Sequence, residues 1–332
     1  MTGGNAHSAL NGFRAAWWLP GGHLQSLRRK FGPGVTVAQE SERLPLEDGD
    51  FIDLAWVRPG GEIAPGDPVV FVLHGLCGCS ESLYVQALQH HLLARGIASV
   101  AMNFRGCSGE PNDKARSYHS GVSADADQVF RKLRERLPGN SFHCVGYSLG
   151  GNVLLKWLAE TGGPAGLDRA VSISVPFDLA QCSAALGRGL TRYYGRYFLG
   201  RLQQDLAAKK SRFRETGNEV ELALLEELGP LQDIASLWEF DDRVTAPLHG
   251  FADAADYYAK CSSLPLLAGI RTPTLLIQST DDPLVPPASL PDPARLPENV
   301  RLELTGAGGH VGFFAATGSR LEQTVADFLV SE

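Results

Sequence analysis

A serine hydroxyl is a weak nucleophile at neutral pH, so a chain that uses one must also supply a base, an orienting carboxylate and donors for an oxyanion. Gly146-Tyr147-Ser148-Leu149-Gly150-Gly151 satisfies G-x-S-x-G and lies where a run of strand character passes directly into helical spacing. That context predicts a strained turn that exposes the Ser148 hydroxyl, with the next helix aiming its N-terminus at developing negative charge. His310 is the candidate base, in the glycine-rich stretch Gly306-Ala307-Gly308-Gly309-His310-Val311-Gly312 between the last predicted strand and the last predicted helix. A histidine satisfied within the core is the plainer reading, and that loop position favours the catalytic one. The acid is expected just after the predicted strand 274–278, where Asp281 and Asp282 are adjacent and only one can face the imidazole. Two backbone N–H groups complete the set: Leu149, after the nucleophile, and Leu76, in the turn His74-Gly75-Leu76 that follows the apolar run 69–73. Each donor should contribute about 3 kcal/mol to the transition state.

These groups can meet only if strands deliver them to one edge of a sheet. The run Val69-Val70-Phe71-Val72-Leu73 reads as a buried strand, followed by helical spacing at Val85, Leu88 and Leu92. Strands are predicted at 97–104, 142–147, 170–175, 274–278 and 300–304, with helices over 122–137, 149–159 and 321–329. A hairpin is predicted within 35–57 around Asp48-Gly49-Asp50. Repeated strand–helix units imply an α/β fold with a mostly parallel central sheet covered by helices on both faces.

About ninety residues separate two strands that should be sheet neighbours, a length that suggests a functional lid rather than a loop. The predicted division is a core of 1–178 and 271–332 with a helical cap at 179–270. Within the cap, Arg188, Arg192, Arg196, Arg201, Lys209, Lys210, Arg212 and Arg214 outnumber the single acid Asp205 over 188–214. On a helical reading Leu190, Tyr194, Tyr197 and Phe198 share an apolar face and Arg188, Arg192 and Arg196 a basic stripe. That face either packs on the core, leaving the arginines in water, or makes peripheral contact with an anionic membrane surface.

Composition narrows the alternatives. The chain has 332 residues, enough for a large core, and its 30 Lys and Arg against 37 Asp and Glu give no positive field for nucleic acid. No apolar run approaches a membrane span and no secretory block opens the sequence, so a soluble cytoplasmic protein is expected. Six cysteines in this length should be free thiols. Cys77 and Cys79 lack a second pair at zinc spacing, so neither metal nor other cofactor is expected, and no required protein partner is evident. His74 should shape its own turn. Asn103 to Gly109, with Arg105 and Cys107, reads as a structural loop that could alternatively wall a ligand pocket, and Cys107 lacks the base a nucleophile would need.

The chain resembles the YheT-like subfamily of α/β-hydrolases, related to plant proteins of the EMB8 type and to eukaryotic α/β-hydrolase-domain phospholipases. The likeness rests on Trp18-Leu19-Pro20-Gly21-Gly22-His23-Leu24-Gln25, Asp48-Gly49-Asp50-Phe51-Ile52-Asp53, His74-Gly75-Leu76, Asn103-Phe104-Arg105-Gly106-Cys107-Ser108-Gly109, the Ser148 turn, Ser174-Val175-Pro176-Phe177-Asp178, Phe240-Asp241-Asp242 and Gly308-Gly309-His310-Val311-Gly312-Phe313. It implies a triad of Ser148, Asp282 and His310, because hydrolases of this fold commonly follow the acid with a variable residue, an aliphatic, Val and Pro. Asp282-Pro283-Leu284-Val285-Pro286 fits, although a shift of one residue would exchange Asp281 and Asp282. The implied reaction is carboxylic-ester hydrolysis through an acyl-enzyme, on a small-molecule or lipid ester. Thioester or amide hydrolysis, or perhydrolysis, would use the same groups, and a catalytically silent binding protein would keep the fold without needing all of them.

Overall fold

The computed structural model describes residue 10 and residues 12–330. Eight strands form one sheet in the order β1-β2-β4-β3-β5-β6-β7-β8: β1 Glu40–Pro45, β2 Phe51–Val57, β3 Pro68–Leu73, β4 Ala98–Asn103, β5 Ser141–Tyr147, β6 Leu167–Ile173, β7 Thr274–Ser279 and β8 Val300–Thr305. The strands from β3 onward run parallel, while β2 pairs antiparallel with both β1 and β4, which makes the predicted hairpin the sheet's edge. Apolar clusters cover both faces. Phe71, Val100, Phe130 and Trp157 belong to one, and Val70, Val145, Leu88 and Val325 to the other. The helices α1 Gly21–Phe31, α2 Leu83–Ala94, α3 Ser123–Arg136, α4 Leu149–Thr161 and, at the end of the chain, Leu321–Val330 complete the layers.

The order of the central strands places the chemistry. From β3 the chain turns to β4 on one side and then returns to β5 on the other, and such a reversal opens a crevice at the carboxyl ends of the two middle strands. The turn after β3 carries Leu76 and the turn after β5 carries Ser148 and Leu149, so the two oxyanion candidates, Leu76 and Leu149, emerge side by side. β6 ends at Ile173, two residues earlier than its apolar run predicts. Ser174 leaves the strand at φ 52°, and its hydroxyl accepts the N–H of Val311 at 2.9 Å.

Between β6 and β7 the chain is helical: α5 Leu179–Ala185, α6 Arg192–Thr216, α7 Glu219–Glu226, α8 Leu237–Phe240, α9 Ala246–His249 and α10 Ala254–Cys261. This insertion has an apolar cluster of its own, built on Leu199, Leu206, Phe213, Leu225, Phe240 and Val244. The single amphipathic face expected from Leu190 to Phe198 is divided. Arg188 and Leu190 precede α6, because Gly189 takes φ 49° and breaks the helical path. Tyr194 and Phe198 pack inward against Leu284 and Val285, whereas Leu190 and Tyr197 remain exposed. Lys209 is also turned inward, so the basic residues of this segment do not form one surface. Among the described residues no helix is long and apolar enough to cross a membrane.

A buried ionic hub ties the edge hairpin to the core. Arg105 donates to both oxygens of Asp125 at 2.7 Å, and its Nη1 reaches Asp48 at 2.7 Å and Asp50 at 2.9 Å. Removing one member of such a cluster strands the others without charge compensation. Arg105→Ala is therefore expected to lower the unfolding free energy by about 3–5 kcal/mol, read from urea midpoints. Arg131→Ala, which breaks the exposed pair with Asp127, should change it by less than about 0.5 kcal/mol. Equal effects from the two substitutions would contradict this account of the hub.

Candidate active site

Ser148 sits at φ 52° and ψ −118°, a conformation that a residue with a side chain adopts only under constraint. The constraint comes from both sides of the turn. Its N–H donates to the Ile173 carbonyl at 2.8 Å, and its own carbonyl accepts the Asn152 N–H at 3.0 Å. Gly150 lets α4 start against the end of β3: a Cβ there would lie 2.4 Å from the His74 carbonyl oxygen. The hydroxyl is thereby presented at the crevice, next to the first turn of α4.

His310 Nε2 lies 2.9 Å from Ser148 Oγ, and its Nδ1 lies 2.8 Å from Asp282 Oδ2. Asp282 is buried, and its second oxygen accepts the Leu284 N–H at 2.8 Å, which aims the carboxylate at the imidazole. A proton on Nδ1 directed at Asp282 leaves Nε2 free to accept from the serine hydroxyl, the tautomer that a general base requires. Asp281 has a different partner. Its Oδ1 accepts the Gly309 N–H at 2.8 Å, so it braces the backbone immediately before His310.

The histidine loop is held from several directions. Ser26 Oγ accepts the His310 N–H at 2.8 Å, and Ser279 Oγ donates to the Gly309 carbonyl at 2.9 Å. Arg29 is buried and donates to the carbonyls of Val311 and Gly312 and to Glu322 at 2.8 Å. Ser26 and Arg29 belong to α1, and Gly22 of the same helix approaches so closely that an added Cβ would lie 1.8 Å from the Asp281 carbonyl oxygen. This role of α1 is absent from the sequence reading of the site. The available signal was a helix with glycine, serine and arginine spaced at 22, 26 and 29, small or polar residues along one face.

The turn carrying Leu76 is equally braced. His74 is buried, and burial lowers it to about 4, so it is neutral: Nδ1 donates to the Gly75 carbonyl and Nε2 accepts the Phe104 N–H. Gly75 N–H donates to Tyr84 Oη at 2.9 Å and Cys77 N–H to Tyr118 Oη at 2.8 Å. Among the described residues neither Leu76 nor Leu149 gives its N–H to a protein acceptor. Both residues line a cavity of about 510 Å³ together with Ser148 and His310. The insertion supplies much of the remaining wall through Leu186, Phe198, Leu202, Phe240 and Val244. In the loop 103–109, Arg105 anchors the fold through its ion pairs, and Arg105, Gly106 and Cys107 line the cavity.

Residues 68–317 match the family of the alpha/beta hydrolase fold. The chain belongs to the α/β-hydrolase family. It is 41% identical over 314 residues to the protein YheT of Escherichia coli (strain K12), covering 93% of this chain and 90% of that one. Phospholipase ABHD3 of Mus musculus is 30% identical over 296 residues, covering 87% and 70% of the two chains. The Embryogenesis-associated protein EMB8 of Picea glauca is 28% identical over 306 residues, 89% of this chain, which spans 66% of the length of that relative. The solved structure of a Pyrococcus furiosus esterase overlays with a TM-score of 0.57 at 17% identity, covering 90% and 95%, a likeness of fold. These matches establish the α/β-hydrolase architecture and the YheT-like resemblance read from the motifs.

All six cysteines are free, and four of them, Cys77, Cys79, Cys107 and Cys182, line the cavity that holds Ser148. Burial pushes the Cys77 thiol up to about 12 and the Cys107 thiol well above its ordinary value. The thiolate is the reactive form and burial suppresses it, so at about pH 8 both should resist iodoacetamide in the native protein and react once it is unfolded. Peptide mass mapping checks this. Native alkylation of Cys107 with parallel loss of activity would make the thiol, not the serine, the group to pursue.

Proposed function

We propose that this α/β-hydrolase cleaves carboxylic esters of acyl chains by way of a covalent acyl-enzyme on Ser148. The observation that carries the reading is the continuous relay Asp282 Oδ2–His310–Ser148 Oγ, at 2.8 and 2.9 Å, drawn from three loops far apart in sequence. In the first half-reaction His310 Nε2 takes the Ser148 proton as Oγ attacks the ester carbonyl. The Leu76 and Leu149 N–H groups receive the oxyanion, the imidazolium returns its proton to the leaving alcohol, and the acyl group stays on Ser148. Water then repeats the sequence: His310 takes its proton, hydroxide character attacks the acyl carbonyl, and the proton passes back to Ser148 as the carboxylic acid departs. Asp282 stays ionised throughout and steadies the imidazolium.

The acyl-chain assignment is supported by the apolar side chains that the insertion adds to the cavity, and by the phospholipase name of the Mus musculus relative. In this reading the insertion is a cap over the site, excluding water from the acyl pocket.

A fluorophosphonate probe should label Ser148, and Ser148→Ala should abolish both labelling and ester turnover. Asp282→Asn is expected to lower kcat by about 10⁴, since it favours the wrong imidazole tautomer. Asp281→Asn keeps that contact and only loosens the loop, so it should cost no more than about 10². Labelling elsewhere with activity intact in Ser148→Ala would remove the serine from the mechanism, and the reverse ranking of the two aspartates would exchange their roles.

A further inference from the structure

The polarity of α1 is reversed. Its inner face is glycine and polar side chains: Gly22, Gln25, Ser26 and Arg29 are buried and hold the histidine loop. Its outer face is apolar, with Leu24, Leu27 and Phe31 at i, i+3 and i+7 exposed by 44%, 39% and 68%. Trp17 and Trp18, immediately before the helix, are also exposed and contact each other edge to face. A helix that only had to cover the core would carry the opposite pattern.

The stripe continues onto the insertion. His23 stacks on Tyr194, with Nδ1 3.0 Å from its hydroxyl, and Lys30 lies 5.6 Å from the Tyr197 ring. These contacts join α1 to the start of α6, where Leu190, Tyr193 and Tyr197 are exposed. Lys30, Arg188, Arg192 and Arg196 are exposed there as well, and none of the four is ion-paired among the described residues. No Asp or Glu occurs at 12–39 or 188–204, in a chain whose net charge is −7. Tryptophan, tyrosine, leucine and phenylalanine interspersed with unpaired cations, and cleared of carboxylates, match the boundary between acyl chains and anionic headgroups.

We propose that α1, its preceding tryptophans and the N-terminal turn of α6 form a docking surface for an anionic phospholipid bilayer. The apolar side chains enter the headgroup boundary while Lys30, Arg192 and Arg196 meet the lipid charge. Docking there holds the outer face of α1 on the membrane while its inner face holds the loop of His310, so the catalytic loop lies one helix diameter from the lipid. The surface differs from the one expected on the cap alone, since Tyr194 and Phe198 are used internally and α1 supplies the apolar part. The proposal goes beyond the hydrolase chemistry and does not depend on it.

Vesicle flotation with phosphatidylcholine alone, and with an equal mixture of phosphatidylcholine and phosphatidylglycerol, tests it. The wild type should float with the anionic mixture, weakly with the neutral lipid, and less as salt is raised. Leu24→Ser/Leu27→Ser/Phe31→Ser and Lys30→Glu/Arg192→Glu/Arg196→Glu should each reduce partitioning at least tenfold while keeping hydrolysis of a soluble short-chain ester. Ser148→Ala should bind vesicles like the wild type, so failure of the hydrolase reading leaves this result intact. Wild type that floats with neither lipid, or variants that bind as wild type does, would overturn the proposal. So would light scattering in which the wild type is a dimer and the apolar variant a monomer, since the stripe would then face a second copy.

Discussion

The backbone at Ser148 is held in a conformation that costs a side-chain-bearing residue about 1–3 kcal/mol, and the rest of the architecture can be understood as what makes that conformation tenable. The adjacent strand accepts its N–H through the Ile173 carbonyl, and α4 returns the Asn152 N–H to its carbonyl. Gly150 allows the helix to begin against the end of β3. Relaxing any of these would let Ser148 rotate to an ordinary conformation and carry Oγ away from His310. The strain is stored where the parallel sheet reverses direction, which is also where the β3 turn delivers Leu76.

The imidazole poses the complementary problem, since its loop is glycine-rich and has little intrinsic order. The protein meets it by hydrogen bonding to the backbone of 309–312 from Asp281, Ser26, Ser279, Ser174 and Arg29. Arg29 is balanced by Glu322 on the closing helix, so a buried charge is spent on orienting a loop rather than on packing. Arg105, which lines the cavity, ties the loop 103–109 to Asp48, Asp50 and Asp125. Both hubs use arginine, whose planar fork serves several acceptors at once.

The parts of this site that were legible in the sequence are those whose signals are local. G-x-S-x-G between a strand and a helix is a pattern of consecutive residues, and Asp282 followed by Pro283-Leu284-Val285-Pro286 carries a register of its own. The role of α1 was not legible, because Ser26 and Arg29 act across more than two hundred and eighty residues, by contacts that no periodicity encodes. The single face expected over 188–198 is divided for a backbone reason. A continuous helix would align Arg188 with Arg192 and Leu190 with Tyr194 and Tyr197, but Gly189 takes a left-handed φ and α6 starts only at Arg192. β6 likewise ends early because Ser174 serves the histidine loop.

The central claim is that hydrolysis passes through an acyl group carried on Ser148, and product partitioning tests it without requiring that intermediate to accumulate. Esters of one acyl chain with p-nitrophenol, phenol and ethanol would be hydrolysed in the presence of a fixed concentration of methanol, measuring methyl ester against free acid. A shared acyl-enzyme, attacked by methanol or water after the first alcohol has left, predicts one product ratio for all three substrates. A ratio that changed with the leaving group would mean that water and methanol attack the substrate itself, and would contradict the covalent role assigned to Ser148.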